Sequence, residues 1–144
     1  EELVRRFPDQ VVGIIDSTYN LFEKIQIENF SVLPGSELKL LSGLEKGCSG
    51  IITATCNVTA NLSRKVYDDY FSNKTQTHNK RLCDVRKAFD NFNLISGLHS
   101  FYSKEDSIYQ NLLPPLRLLS NSEEKKLMEE LKDINFNFKS FEAA

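Results

Sequence analysis

The sequence has 144 residues, the size of one ordinary domain, and 40% of them are hydrophobic, which excludes a wholly disordered chain. No stretch approaches the ~18 apolar residues of a membrane-spanning helix, and a net charge of -2 provides no basic surface for nucleic acid. We therefore expect neither a membrane nor a nucleic acid as partner. The first six residues lack the apolar segment of a signal peptide, and the absence of a starting Met suggests that the sequence continues upstream.

Three cysteines without C-x-x-C spacing predict reduced thiols in a cytoplasmic protein. Neither histidine stands at metal-ligand spacing from a cysteine, so no metal site is expected.

Short apolar runs alternate with helical patterns in the first half of the chain. Residues 11–15 (VVGII), 30–33 (FSVL) and 50–54 (GIITA) each predict a strand, the first buried on both faces. Helices are predicted over 19–26, 38–44 and 61–71, with Ser36 as an N-cap and Gly47 as a stop signal. This order predicts a parallel sheet flanked by helices, in either a doubly wound sheet or part of a barrel.

From residue 75 onward every pattern is helical. One apolar stripe is formed by Leu82, Val85, Phe89 and Phe92. Pro114 and Pro115 stop any helix there, because proline lacks an amide donor and restricts the preceding residue. Ser120 and Glu123 have the spacing of a capping box, which predicts the start of a last helix.

Polar side chains follow each predicted strand, at residues 16–18 (DST), 34–37 (PGSE) and 53–55 (TAT). Because the carboxyl ends of parallel strands lie at one edge, a binding site is expected there. Helix capping by Ser17 and Ser36 is the alternative explanation. No G-x-G-x-x-G or Walker A motif follows a strand, and no serine stands in a nucleophile elbow, so no nucleotide site and no cofactor is predicted.

Four motifs, in order, resemble those of the dihydrodipicolinate synthase / N-acetylneuraminate lyase family. Residues 12–18 (VGIIDST) resemble its sixth barrel strand, G-[IV]-K-[DE]-[AST], and residues 33–37 (LPGSE) its seventh. Residues 46–58 (KGCSGIITATCNV) are similar to the eighth strand, G-x-x-G-x-I-S-x-x-x-N-V. Residues 113–117 (LPPLR) resemble the R-x-P-L segment of the helical appendix.

The resemblance implies a TIM (β/α)8 barrel with a helical C-terminal bundle, usually assembled as a homotetramer. Since a barrel needs about 200 residues or more, this chain matches only strands six to eight plus the appendix. We therefore expect an α/β fold in which residues 1–74 form the C-terminal part of the barrel and residues 75–144 an all-helical bundle. The N-terminal half, with the family's Gly-Thr-Thr site and catalytic tyrosine, would be a missing partner.

The family's chemistry implies a lysine that forms a Schiff base with pyruvate or another 2-oxo acid. Ile15 stands at the position of that lysine, and strand alternation places it on one face with Gly13. An isoleucine cannot form an imine. It is explained by an introduced block, by a natural relative without aldolase activity, by an error at a modified lysine, or by a wrong alignment over a plain buried strand.

Further positions match residues that the family places near its substrate. The resemblance implies a hydroxyl at Ser17, space at Gly35, hydroxyl-binding groups at positions 36 and 37, and a backbone carbonyl at Ile52. The implied substrate-binding residues are thus Ser17, Gly35, Ser36, Glu37, Ile52 and Thr53. For Glu37 the alternative is a carboxylate that stabilises the first turn of a helix.

Three functional hypotheses follow from these residues. The leading one is a lyase or aldolase of the Schiff-base 2-oxo-acid family, inactive as it stands because of Ile15. The second is a catalytically silent member that binds a small oxo acid or a protein partner. The third is a small α/β interaction module unrelated to the barrel.

Overall fold

The computed structural model describes residues 2–25 and 27–138. Its strands are β1 (Gly13–Asp16) and β2 (Ser31–Pro34). Its helices are α1 (Glu2–Arg6), α2 (Leu40–Glu45), α3 (Cys56–Phe71), α4 (Asn79–Asp90), α5 (Leu94–Tyr102) and α6 (Asn121–Asp133). Two 3-10 turns occupy Glu37–Lys39 and Ser107–Gln110. None of the described helices is long and apolar enough to cross a membrane.

The two strands are parallel, as predicted, and pair Ile14 with Val32 and Ile15 with Leu33. The third predicted strand is only partly confirmed. The amide of Ser49 donates to the Val32 carbonyl over 3.2 Å, and the amide of Ile52 donates to the Pro34 carbonyl over 3.2 Å. Between these two bonds Gly50 has a φ of +147°, which interrupts a regular ladder. Residues 49–52 therefore run beside β2 without forming a strand of their own.

The predicted helix over residues 19–26 is wrong within the described chain, and Gln26 lies outside the described residues. Tyr19 has a φ of +58°, which a continuing right-handed helix does not allow. A single hydrogen-bonded turn remains, closed by the amide of Ile25 on the Leu21 carbonyl at 2.9 Å. The two parallel strands are thus joined by an irregular segment.

Local patterns indicated α2, α3, α4 and α6, whereas α1 was not predicted and α5 was given no bounds. The helix expected over 61–71 begins earlier, at Cys56, and the one expected over 38–44 is a 3-10 turn that leads into α2. The capping box is confirmed, because the Ser120 amide donates to Glu123 Oε2 at 2.8 Å and the Glu123 amide to Ser120 Oγ at 3.4 Å. On the predicted apolar stripe Leu82, Val85 and Phe89 are fully buried.

Two apolar clusters hold these elements together. The larger cluster joins α2 to α6 and includes Leu44, Val66, Phe89, Phe101 and Leu127. The smaller cluster consists of Phe22, Val32 and Cys48, against which Ile14 packs. The larger cluster contains residues from both sides of the predicted boundary at residue 74, so the two predicted segments share one core. Residues 1, 26 and 139–144 of those segments lie outside the described residues.

The sheet has one covered face and one open face. Val32, Pro34 and Asp16 are buried on the covered face. Ile15 points to the other side and is 48% exposed, and Ile52 in the neighbouring segment is 50% exposed. We call the surface formed by Ile15, Leu33 and Ile52 the open face. It lies where the interior of a closed barrel would be.

Candidate active site at the strand ends

The segments that follow the strands lie side by side, as the sequence predicted. The amide of Gly35 donates to the Asp16 carbonyl over 3.0 Å, which joins the ends of β1 and β2. A Cβ at Gly35 would stand 3.4 Å from the Ser17 Cα, so the two segments are in van der Waals contact. The bond from Ile52 to the Pro34 carbonyl adds the third segment. One edge therefore collects the predicted site positions.

Ile15 lies on the open face directly opposite Leu33. Its side chain is a half-exposed hydrocarbon with no nucleophilic atom. The lysines nearest in sequence do not replace it. Lys24 lies in the exposed turn after β1, and Lys39 Nζ is 6.0 Å from the ring of Phe22, which belongs to the smaller cluster on the covered side.

Asp16 is the first of two buried carboxylates at this edge. One carboxylate oxygen accepts from the amides of Leu21 and Phe22, both at 2.9 Å. The other accepts from the Thr18 amide at 3.2 Å and the Thr18 hydroxyl at 2.9 Å. Burial opposes the charge of Asp16, but these bonds outweigh it and hold the pKa of this carboxyl below its ordinary value. Asp16 thus anchors the irregular segment after β1.

Glu37 is the second buried carboxylate, and its side chain has no exposed surface. Its Oε1 accepts from the hydroxyls of Thr53 and Thr59, both at 2.9 Å. Its Oε2 accepts from the Thr55 hydroxyl at 3.2 Å and from Arg86 Nη1 at 3.0 Å. The sequence predicted that Glu37 binds a substrate hydroxyl, whereas here every one of these partners is a protein group.

Arg86 reaches this cluster from α4. Its Nε donates to Asp90 Oδ1 at 2.8 Å, and its Nη1 contacts Glu37 and, at 3.4 Å, the Gly35 carbonyl. Burial opposes the charge of Arg86, but hydrogen bonds to Asp90 and Glu37 outweigh it and raise the pKa of the guanidinium. Asp90 is 39% exposed, whereas Gly35 and Thr53 are partly buried and the Glu37 side chain is fully buried.

The remaining predicted positions differ in access to solvent. Ser17 is exposed beside Gly35, and Ile52 is half-exposed on the open face. Ser36 is buried and its Oγ accepts from the Leu38 amide at 3.3 Å, so the capping alternative describes its side chain. The Thr53 hydroxyl donates to Glu37 and accepts from the Thr55 amide at 3.0 Å. Of the predicted site positions, Ile15, Ser17 and Ile52 are therefore the exposed ones.

The sequence singled out neither Arg86 nor Thr59, and it indicated Thr55 only as one of the polar residues that follow the third predicted strand. Arg86 carried a usable signal, because it stands four residues after Leu82 and three before Phe89, on the apolar stripe of α4. A charge on such a stripe implies a buried partner. Thr59 carried no comparable signal. Among the described residues, no group of three His, Cys, Asp or Glu side chains could hold a metal ion.

Solved structures that are similar to this chain include dihydrodipicolinate synthases. The enzyme of Cyanidioschyzon merolae with lysine bound is 15% identical, with a TM-score of 0.80 over 92% of this chain and 47% of that chain. The Thermotoga maritima enzyme is 21% identical, with a TM-score of 0.76 over 92% and 50%. The Aquifex aeolicus enzyme is 24% identical, with a TM-score of 0.74 over 90% and 47%. At such identities the likeness establishes the fold.

The chain spans about half the length of these structures, which agrees with a partial TIM barrel. It matches no curated protein in sequence. The family model described as "Dihydrodipicolinate synthetase family" matches residues 2–134. This match excludes the hypothesis of an unrelated interaction module. Because it covers most of the sequence, the chain belongs to the dihydrodipicolinate synthetase family.

Proposed function

We propose that this chain provides three of the eight βα units of a pyruvate-type aldolase or lyase barrel and that it forms no Schiff base. Family membership supports the pyruvate-type aldolase and lyase class. The observation that carries the rest is Ile15, whose side chain lies half-exposed on the open face, at the position that resembles the family's lysine.

The chemistry of the family explains why this residue is decisive. A neutral lysine amine attacks the carbonyl carbon of a 2-oxo acid, the carbonyl oxygen leaves as water, and the resulting iminium accepts the electron pair of a breaking or forming carbon–carbon bond. Ile15 presents only C–H bonds to the same space. It can neither attack a carbonyl nor accept a proton, so every step that needs the amine is absent.

The open face supports a partner that completes the barrel. Two strands and the segment 49–52 provide three of the eight positions, so the complement is a half with five βα units. A second copy of this chain would bring the count only to six. The outer edge of β1 has no strand beside it within the described chain, and unpaired edges attract strands. We therefore propose an N-terminal half-barrel, upstream or on another chain, as the partner.

Further assembly is proposed as a homotetramer, the family's usual state. A structure similar to this chain, with a TM-score of 0.78, is described as a monomeric dihydrodipicolinate synthase variant. The tetramer therefore needs its own test. Sedimentation velocity of the completed barrel should give one species of four copies, whereas a single copy would contradict it.

Borohydride reduction in the presence of pyruvate, followed by mass spectrometry, tests the absence of an imine. We expect no adduct on the chain as it stands, because the open face offers no amine. A covalent adduct would show that another residue is the nucleophile or that the alignment at Ile15 is wrong.

The complementary experiment introduces the amine. Ile15→Lys, combined with a five-unit N-terminal half of the family, should give a reducible adduct on residue 15. Ile52→Lys is the matched control, because residue 52 has nearly the same exposure on the same face. Equal labelling of both variants would indicate unspecific trapping and contradict the assignment of residue 15.

A second candidate function is a silent member that binds a small oxo acid or a protein partner. The exposed Ser17 beside Gly35 favours it, since a hydroxyl near the strand ends can still bind an oxo acid without covalent chemistry. The half that completes the barrel discriminates the two hypotheses. An intact Gly-Thr-Thr site and catalytic tyrosine there would favour an enzyme, and their loss would favour a binding protein.

A further inference from the structure

A buried ion pair joins the helical part of the chain to the strand ends. Arg86 on α4 and Glu37 at the end of β2 are 49 positions apart in the sequence, and their side chains are 8% and 0% exposed. Burying two charges is costly unless the pair is close and its remaining hydrogen-bonding groups are satisfied. Here the Nη1–Oε2 distance is 3.0 Å, so the first condition is met.

The remaining groups of the pair bind backbone and hydroxyls from three segments. Arg86 also donates to the Gly35 carbonyl at 3.4 Å and to the Thr53 hydroxyl at 3.4 Å. Glu37 accepts from three threonine hydroxyls, of which Thr59 also donates to the Thr55 carbonyl at 3.0 Å. The pair therefore fixes the end of β2, the turn at residues 53–55 and the first turn of α3 in one arrangement.

This arrangement adjoins the two backbone positions that the site needs. Gly35 is the residue expected to leave space for the substrate, and its carbonyl is bound by Arg86. Ile52, whose carbonyl is expected to face the 2-oxo acid, immediately precedes Thr53. Thr53 in turn is held from both sides, by Glu37 and by the amide of Thr55.

We propose that Arg86 is a positioning residue of the site: it sets the backbone at Gly35 directly and the backbone at Ile52 through Glu37 and Thr53. Under this proposal Glu37 and Thr53 bind each other and do not serve as ligands of substrate hydroxyls. The inference rests on the proposed function for its meaning, because Gly35 and Ile52 matter only if the barrel binds an oxo acid. Whether Arg86 holds the backbone at Gly35 and Ile52 can be measured on this chain alone.

Amide hydrogen exchange of the chain measures that property residue by residue. Arg86→Met removes the charge and keeps an unbranched side chain. We expect exchange at the Gly35, Ile52 and Thr55 amides to accelerate about ten- to a hundredfold relative to core amides of α5, as expected for loss of a hydrogen bond to a charged group. Arg64→Met is the matched control, because Arg64 forms an exposed ion pair with Asp68.

Arg86→Lys should lie between the wild type and Arg86→Met, because a single ammonium nitrogen replaces the two guanidinium nitrogens that bind Asp90 and Glu37 separately. If Arg86→Met does not fold, Arg86→Lys decides by the same ratio of exchange rates. A uniform acceleration at all amides would mean that Arg86 contributes only to global stability and would overturn the proposal, as would unchanged exchange at the strand ends. Since no imine is measured, failure here is distinct from failure of the proposed function.

Discussion

Replacing Asp16 with asparagine tests whether one buried carboxylate holds the segment that joins β1 to β2. The carboxylate accepts four hydrogen bonds, two on each oxygen. Asparagine keeps the shape and one acceptor oxygen but replaces the other oxygen with an amide group that can only donate. We expect the retained oxygen to face Leu21 and Phe22, which leaves the Thr18 amide opposite a donor.

The magnitude follows from the bonds that change. Bonds to a charged acceptor stabilise by about 1.5–3 kcal/mol and neutral ones by about 0.5–1.5 kcal/mol, so two bonds weaken by about 1 kcal/mol each. Loss of the hydrogen bond from the Thr18 amide adds about 1 kcal/mol more. The free energy of unfolding at pH 7 should therefore fall by about 3 kcal/mol. With a urea m-value of about 2 kcal/mol/M, the midpoint falls by about 1.5 M.

Urea unfolding followed by circular dichroism measures this change. Asp68→Asn is the matched control, because Asp68 is more than half exposed and only pairs with Arg64 on the surface of α3. Its midpoint should shift several-fold less than that of Asp16→Asn. Equal shifts in the two variants would refute the claim that the buried hydrogen bonds of Asp16, and not its charge as such, stabilise the chain.

Three further outcomes are expected in the same assay. The folded-state pKa of Asp16 lies below its unfolded value of about 3.9, so its contribution is complete above that pH and is lost as the pH falls through the folded pKa. The wild-type midpoint should therefore approach that of Asp16→Asn as the pH falls below about 3.9, and a constant gap would contradict this. Gly13→Ala should lower the free energy of unfolding by about 1–3 kcal/mol. The new Cβ would stand 2.8 Å from the Ser31 carbonyl oxygen and force the strands apart. An unchanged midpoint would disprove the close approach. Ser120→Ala should cost about 1 kcal/mol through loss of the capping box, whereas no loss would mean that α6 starts without this cap.

The sequence predicted best those features that depend on a few neighbouring residues. The parallel strands, the stripe on α4 and the capping box at Ser120 follow from patterns a few residues long, and the structure confirms them. The helix expected after β1 is absent because of side-chain hydrogen bonds, which a hydrophobic periodicity does not reveal. The side chain of Asp16 takes the amides of Leu21 and Phe22, and these bonds favour a different backbone path.

The sequence predicted which edge of the sheet carries the candidate site, but it did not predict the hydrogen-bond partners of the site residues. Positions 15, 35 and 52 meet because parallel strands end together, which the strand order alone implies. The partners of Glu37 depend on how closely α4 approaches the end of β2, and that distance is set by the packing of the large cluster. A first-turn carboxylate and a buried ion-pair partner look alike in sequence, and only the approach of Arg86 separates them.

The two apolar clusters differ in size, so the helices and the strands should differ in local stability. Fourteen buried residues of the described chain hold the helical layer, against three beneath β1 and β2. We therefore expect the helices to unfold locally less often than the two strands. If the proposed N-terminal half-barrel binds at the strands, it would contact the part of this chain that has the smaller apolar cluster. Such binding would then stabilise the strands most, because the larger cluster already holds the helices together.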